Sequence, residues 1–528
     1  MKQVSRDYLI LALVVNIVIV VAGIISRPIL PLDETRYISV AWEMWSNGEW
    51  LVPHINGETY SHKPPLLFWL HGLIWSLFGT GEWVSRLVVP VFVMLNLILV
   101  RKLAQAIYPE SKIASAISPL ILLSFVIWFL YSGMIMFDLI LTVFCQGVLL
   151  AQLYFLRTQQ KRWVWFGGGA LGLALLTKGP VILVFFVSFT ICSIFWRSES
   201  QLRLREVVIA ASSMFAIALV VIAAWAVPAA ISGGDEYARA IFWGQSVGRV
   251  KDSFAHARPF YWYVLLLPAM LFPWFFLSGF WRSKPWQLTD RSDKLCLSFI
   301  ALVLFVFSCF SGKQPHYLLP MLPVLAVWLS AKLEIDLFER EPVVVGFIAL
   351  ICATMLSAPW WVGSVFKRAD VLEVNWLWLI VPVIMLVLVS IRQCFSHHRL
   401  ALNLVAVLVS LSAAVGSVSP ILHNLYDVTR ESKIISQLQQ QGEQVAYMGK
   451  YHNTFAFAGK LTYPLVEVRS DAELEQYVTS TKGYTILVKK KVDQALQGIA
   501  HYETPYRGRR LLIIENAQLV SYLAENKR

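Results

Sequence analysis

Charge is scarce in this chain. Only 15% of its 528 residues are Asp, Glu, Lys or Arg, against about 25% in soluble proteins, which excludes a soluble enzyme and a disordered chain. Cysteine is scarce too: Cys145, Cys192, Cys296, Cys309, Cys352 and Cys394 all lie in or at the ends of apolar runs. None shows a metal or redox spacing, so a disulfide scaffold is excluded and free core thiols are expected. No Walker motif and no nucleotide-binding glycine fingerprint occur, which argues against an ATP-driven pump. There is no internal repeat and no low-complexity tract. What the chain does have is apolar bulk: 57% hydrophobic residues, 13% aromatic and a mean hydropathy of +0.61. That is the composition of a polytopic membrane protein.

Runs able to span a bilayer fall at 8–26, 84–107, 113–131, 134–156, 163–177, 180–196, 207–231, 260–280, 295–311, 316–333, 343–363, 376–392 and 401–420, about thirteen by the length criterion. The first is followed by Ile25, Ser26, Arg27 and Pro28, with no small-residue cleavage site, so it reads as an anchor rather than a removed signal peptide. The net charge of +12 then becomes a question of sidedness. With Lys2 and Arg6 in the cytoplasm, that face also receives Arg101, Lys102, Lys112, Arg157, Lys161, Arg162, Arg197, Arg203 and Arg205, and later Arg282, Lys284, Arg291 and Lys294. Short connections on the other face hold few cations. This is the positive-inside pattern, and with thirteen crossings it predicts a C-terminus on the outer side. A further span over Pro64–Gly79 would invert every later loop, so that segment is expected to be an interfacial helix.

Three outer segments are too long for turns: 27–82, 232–259 and the tail 421–528. The expected organisation is a transmembrane domain over 1–420 and an outer domain over 421–528, which the resemblance given below makes periplasmic. The tail alternates strand-like runs (Gln444–Met448, Tyr484–Val488, Leu511–Ile514) with helical patterns (Glu431–Gln440, and Asp471–Val478 after a Ser470 cap), which predicts a small α/β domain. It shows no catalytic cluster and reads as a stabilising or partner-binding cap.

The outer face carries the chemistry. Asp33-Glu34-Thr35-Arg36-Tyr37 follows the first span; two carboxylates there either start a helix or serve a site. In Ser61-His62-Lys63-Pro64-Pro65, the prolines open an aromatic helix and set Lys63 at its N-terminus, where backbone N–H groups favour anions. Asp138 stands in an apolar run, a functional-site signal in itself. Lys178, Arg249, His256, Lys313, His316 and Tyr317 fall on the same face. Cations beside paired carboxylates suit an anionic lipid-linked substrate and acid/base or charge-stabilising chemistry.

These strings together resemble a known family. Asp33-Glu34-Thr35-Arg36-Tyr37, Lys63-Pro64-Pro65-Leu66, Phe137-Asp138-Leu139, Thr177-Lys178-Gly179-Pro180, Pro259-Phe260-Tyr261-Trp262-Tyr263 and the segment from Lys313 to Pro320 are similar to those of the GT-C glycosyltransferases. Within that superfamily the likeness is to the protein O-mannosyltransferase-like enzymes and the lipid A aminoarabinose transferases. The resemblance implies an all-α polytopic GT-C fold with periplasmic interfacial helices. It also implies an inner-membrane glycosyltransferase that moves aminoarabinose or a related sugar from undecaprenyl phosphate to lipid A or another lipopolysaccharide acceptor. By the same resemblance, Asp33 and Asp138 are catalytic, and Lys63, Arg249 and Tyr317 hold the donor phosphate. Glu34, Arg36, Lys178, Lys313 and His316 line the substrate site. The family's metal-associated glutamate, which directly precedes Lys-Pro-Pro, is replaced here by His62. A divalent ion, zinc or magnesium, on His62 and His256 is therefore the only cofactor expectation. The alternatives are a transferase acting on protein or another envelope glycan, a carrier of lipid-linked sugars, and an assembly partner working through the tail.

Overall fold

The computed structural model describes residues 2–193, 202–244, 257–288, 290–332, 342–358, 360–361, 374–391 and 399–526. Among these, six helices are long and apolar enough to cross a membrane: Tyr8–Ser26, Glu82–Ile107, Asp138–Thr158, Arg162–Cys192, Leu204–Trp243 and Arg291–Cys309. Two bent pairs raise the number to eight if each is one span. They are Lys112–Ser124 with Val126–Ser132, bent by 70°, and Ala401–Ser417 with Ser419–Gln440, bent by 50°. Arg162–Cys192 takes in two of the expected runs, 163–177 and 180–196: a helix ending at Lys178, a 3-10 turn at Gly179–Val181 and the helix Ile182–Cys192. The other expected runs are shorter or interrupted. The run 260–280 divides into Trp262–Met270, a short 3-10 turn at Trp274–Phe276 and Ser278–Arg282; Pro268 and Pro273 remove backbone donors there. The run 316–333 is a 3-10 turn, Pro315–Met321, followed by Leu322–Lys332. Helices solve the bilayer's demand that every backbone polar group be paired within the segment, and the chain is a multi-pass membrane protein with the mainly helical fold expected.

Close helix contact is written into one glycine-rich stretch. A Cβ at Gly168 would lie 2.6 Å from Ile217, and one at Gly172 would lie 2.5 Å from Val221. Only glycine lets Arg162–Lys178 approach Leu204–Arg239 this closely. The approach brings Lys178, at the end of the first of these helices, to a fixed depth.

The first outer loop folds onto the bundle as the helix Asp33–Asn47, a two-strand hairpin (β1, His54–Ile55; β2, Glu58–Thr59) and the helix Leu66–Phe78. The last has 13 residues, too few to span. It buries Leu67, Phe68, His71 and Trp75 while Leu73, Leu77 and Phe78 stay exposed. The second outer segment begins as helix, because Leu204–Arg239 runs past 232. It breaks at Gly234, whose φ of 79° excludes ordinary helical geometry.

The tail contains a five-stranded sheet in the order β4-β3-β5-β7-β6. Its strands are β3 (Gln444–Met448), β4 (Val466–Val468), β5 (Gly483–Lys489), β6 (Ala500–Tyr506) and β7 (Arg509–Glu515). β3 pairs parallel with β4 and β5, while β7 pairs antiparallel with β5 and β6. Alternation gives the sheet two apolar faces: Val445, Ile486, Leu511 and Ile513 on one, and Ala446, Leu487, Leu512 and Ile514 on the other. Ser470 caps Asp471–Ser480 by accepting the Glu473 N–H, as expected. The two edge strands, β4 and β6, were not anticipated. β4 has three residues and β6 carries Pro505, both normal for edges.

This sheet region is bolted to the first outer loop. Ser39 Oγ donates to the Asn453 carbonyl (2.8 Å), Trp42 Nε1 to Leu461 (2.8 Å), and Asn56 exchanges two bonds with Leu465 (2.9 and 2.8 Å). Phe457 stacks on Trp75 at 5.5 Å. Lys460 donates to the Thr80 carbonyl at 2.7 Å and lies over the Trp42 and Phe457 rings.

Four of the five described cysteines, Cys145, Cys192, Cys296 and Cys352, are buried free thiols; Cys309 is exposed at a helix end. Cys394 lies outside the described residues.

Candidate active site

Two helix ends meet at the centre of the site. Asp138 is the first residue of Asp138–Thr158 and Lys178 the last of Arg162–Lys178. Each charge therefore matches its helix dipole. Lys178 Nζ donates to Asp138 Oδ1 at 2.5 Å, with both side chains almost wholly buried. The same ammonium stands 4.8 Å from the centre of the Tyr317 ring, a cation–π contact. Tyr317 and His316 sit on the turn Pro315–Met321, which packs against the Asp138 helix. His316 Nδ1 is 3.4 Å from the Tyr131 hydroxyl.

Aromatic rings carry the first loop to the same place. Tyr37 meets Phe137, the residue before Asp138, edge-on at 4.8 Å, and its hydroxyl donates to Asp33 Oδ1 at 3.3 Å. Asp33 keeps about half of its side chain exposed and pairs with Arg36 at 3.6 Å. Lys63 Nζ lies 5.9 Å from the centre of the Phe137 ring. Asp138, Lys178, Lys63 and Asp33 are all near enough to act electrostatically on His316. Asp33, Lys63, Asp138, Lys178, His316 and Tyr317 therefore share one cluster. Tyr37 and Tyr131 join it unannounced: Tyr37 was visible only as a neighbour of the acidic pair, and Tyr131 had no distinguishing signal.

Two expected substrate ligands are committed to holding the protein together. Glu34 is buried, and its carboxylate accepts from Arg27 (2.6 Å), the Leu30 N–H (2.9 Å) and the Ile135 N–H (2.7 Å). It ties the end of the first span to the strand of chain leading into Asp138. The reading of Glu34 as a substrate ligand gives way to this fastening role, because its oxygens are occupied by protein donors. Lys313 is likewise buried, and its ammonium donates to the carbonyls of Arg258 (3.0 Å) and Phe310. With the bridge between Ala257 and Gly312, it fastens the end of the second outer segment. Arg249 and His256 lie outside the described residues.

Beside Lys178 opens a cavity of about 420 Å³. His62, Pro64 and Lys178 stand at its polar side, and Leu175, Leu219, Ile222 and Trp225 form apolar walls. Trp225 is held by a bond to the Leu51 carbonyl at 2.9 Å. A charged end with a greasy wall suits an amphiphile whose anionic head faces Lys178 and whose chain follows the apolar side. Among the described residues, no group of three His, Cys, Asp or Glu side chains could hold a metal ion. His62 is exposed, and His256, the other residue of the expected ion site, lies outside the described residues.

The family described as dolichyl-phosphate-mannose-protein mannosyltransferase matches residues 62–227, a stretch holding Lys63, Asp138 and Lys178. The undecaprenyl phosphate-alpha-4-amino-4-deoxy-L-arabinose arabinosyl transferase of Serratia proteamaculans is 26% identical over 370 residues, covering 67% of this chain and 66% of that protein. A protein of the same description from Pseudomonas fluorescens is 30% identical over 308 residues, covering 56% of this chain and 54% of the relative. The matched stretches thus span between about half and two thirds of those relatives. The crystal structure of ArnT from Cupriavidus metallidurans bound to undecaprenyl phosphate superposes over 97% of this chain and 98% of its own, with a TM-score of 0.76 at 18% identity. That likeness is one of fold. The chain thus has the fold of the ArnT structures and is similar in sequence, over part of its length, to aminoarabinose transferases and to the mannosyltransferase family.

Proposed function

We propose that this protein is a glycosyltransferase of the bacterial inner membrane. It moves aminoarabinose or a related sugar from undecaprenyl phosphate to lipid A or another lipopolysaccharide acceptor, at the periplasmic face. The observation that carries this reading is the cluster of Asp33, Lys63, Asp138 and Lys178, in which Lys178 also lines an apolar cavity. The relatives' printed activity on an undecaprenyl-phosphate sugar agrees with it. In this reading the N-terminus is cytoplasmic and the domain over 421–528 periplasmic.

The geometry divides the labour. As the glycosidic bond breaks, negative charge grows on the departing lipid phosphate, and Lys178 and Lys63 supply fixed positive charge where it grows. Tyr317 holds Lys178 from the far side. Asp138 is buried and engaged by Lys178, so it fixes that ammonium. Asp33, exposed and lightly held by Tyr37 and Arg36, is the carboxylate free to take an acceptor proton or orient the acceptor. Attack opposite the leaving phosphate inverts the sugar centre.

The test is conversion of an undecaprenyl-phosphate aminosugar by the purified protein in detergent without any ion gradient, paired with lipid A mass spectrometry of a strain lacking the gene. An unmodified donor pool rules out the transferase. An unchanged lipid A profile with an active enzyme rules out that acceptor.

A further inference from the structure

The sheet region contributes cations to the same side of the molecule as Asp33. His452 lies in the combined field of Arg36, from the first outer loop, and of Lys450 and Arg507, from the sheet region; Glu467 is the opposing charge. Glu467 is itself engaged by Arg469 at 2.8 Å, which leaves the cluster net positive. Arg507 and Arg509 also act together on Tyr447. Arg36 is the residue paired with Asp33, so the cationic patch adjoins the exposed carboxylate of the site.

The patch is held rigidly by the fold. The loop carrying Lys450 and His452 is anchored where Ser39 Oγ donates to the Asn453 carbonyl at 2.8 Å. Ser39 stands on the same helix as Asp33 and Arg36. The Arg507 N–H bonds the Leu425 carbonyl at 3.0 Å, fixing the hairpin tip between β6 and β7. Lys450 and Arg507 are nonetheless exposed. Like charges gathered on a rigid, accessible surface cost free energy unless a counter-anion is taken up, and preorganised cations bind phosphate best.

We propose that Arg36, Lys450, His452 and Arg507 form a docking site for a phosphate group on the glycolipid acceptor, so that the outer domain helps select what Asp33 acts upon. This rests on the transferase reading of the Asp33 site. It gives the outer domain a substrate-binding duty in place of a purely stabilising one.

The experiment uses the full-length protein in phosphatidylcholine nanodiscs, with bisphosphorylated lipid A and its phosphate-free form as probes. Wild type binds the bisphosphorylated probe preferentially. The double variant Lys450→Ala/Arg507→Asn weakens that binding about tenfold, the loss expected for charge-assisted hydrogen bonds, and raises KM for the acceptor without raising KM for the donor. Asn is chosen because Arg507 has a φ of 52°, which Asn tolerates. Lys490→Ala/Lys491→Ala removes equal charge from another exposed site of the domain and is expected to bind as wild type. Equal binding of both probes, equal loss in the two double variants, or equal competition by phosphatidylglycerol overturns the proposal. Asp33→Asn separates the two readings. It is expected to bind the probe normally while turnover is lost; retained turnover contradicts the role given to Asp33, no turnover by wild type contradicts the transferase reading, and in either case the binding result judges the dock.

Discussion

Lys178 Nζ and Asp138 Oδ1 stand 2.5 Å apart, joining the C-terminal end of one membrane helix to the N-terminal end of another. Each residue alone would be a charge stranded in an apolar protein interior. Together they neutralise one another and leave the remaining donors of the ammonium facing the apolar cavity and the Tyr317 ring.

Breaking that pair should be costly. Asp138→Asn and Lys178→Met each leave an unmatched buried charge and are expected to destabilise by about 3–5 kcal/mol. The double replacement Asp138→Leu/Lys178→Met should recover much of that loss while remaining inactive. Thermal unfolding in detergent, beside a turnover assay, measures both. A double variant less stable than either single one would contradict the pairing.

Asp33 and Glu34 are expected to separate in assay. Glu34→Ala strands the Arg27 guanidinium and frees the Ile135 N–H, so it should lower stability by a few kcal/mol, about 3–5 as for other broken buried pairs. Asp33→Asn alters a half-exposed group and should leave unfolding almost unchanged while turnover falls at least a hundredfold, about the share a general base contributes. Melting curves and initial rates of the two variants check this.

Docking of the sheet region onto the helix Asp33–Asn47 and the helix Leu66–Phe78 depends on Phe457. Its ring packs against both Trp42 and Trp75, and Phe457→Ala is expected to cost about 3–5 kcal/mol. Loss of the stack should also red-shift the tryptophan emission as the indoles meet water. Preserved emission and melting temperature would show that the interface does not depend on the ring.

His452 offers a pH test. Burial, then the charges of Arg36, Lys450 and Arg507, hold its imidazole below the usual 6.5. Below pH 6.5 an unfolded chain takes up a proton that the folded one refuses, so this group lowers stability as pH falls through that window. In Lys450→Ala/Arg507→Asn the titration should move up, as seen by NMR of histidine-labelled protein. An unmoved titration would contradict a shared cluster.

Much of this was legible in the residues. Apolar run length located five of the six long helices and divided the sixth, Arg162–Cys192, into two runs; alternation located β3, β5 and β7, because burial on a membrane or sheet face selects those patterns directly. Asp138, Lys178 and Lys63 were legible because charge in apolar surroundings demands a reason. That Glu34, unlike its neighbour Asp33, is taken up by protein donors was not legible. Successive helical residues point about 100° apart, so Asp33 faces outward while Glu34 turns inward, and only the position of Arg27 and Ile135 decides it. Lys313 misled for the same reason: its carbonyl partners, those of Arg258 and Phe310, are backbone groups with no signature in sequence. The 70° bend after Ser124 also passed unseen, since Pro119 lies several residues before it.

The central claim is that Asp33 and Lys63 serve sugar transfer from a lipid phosphate. The most direct measurement is single-turnover conversion of a radiolabelled undecaprenyl-phosphate aminosugar with lipid A, using purified wild type, Asp33→Asn and Lys63→Ala at matched folded concentrations. The account predicts labelled lipid A from wild type alone, with both variants folded and inactive. Labelled product from both variants at near wild-type rates would contradict it.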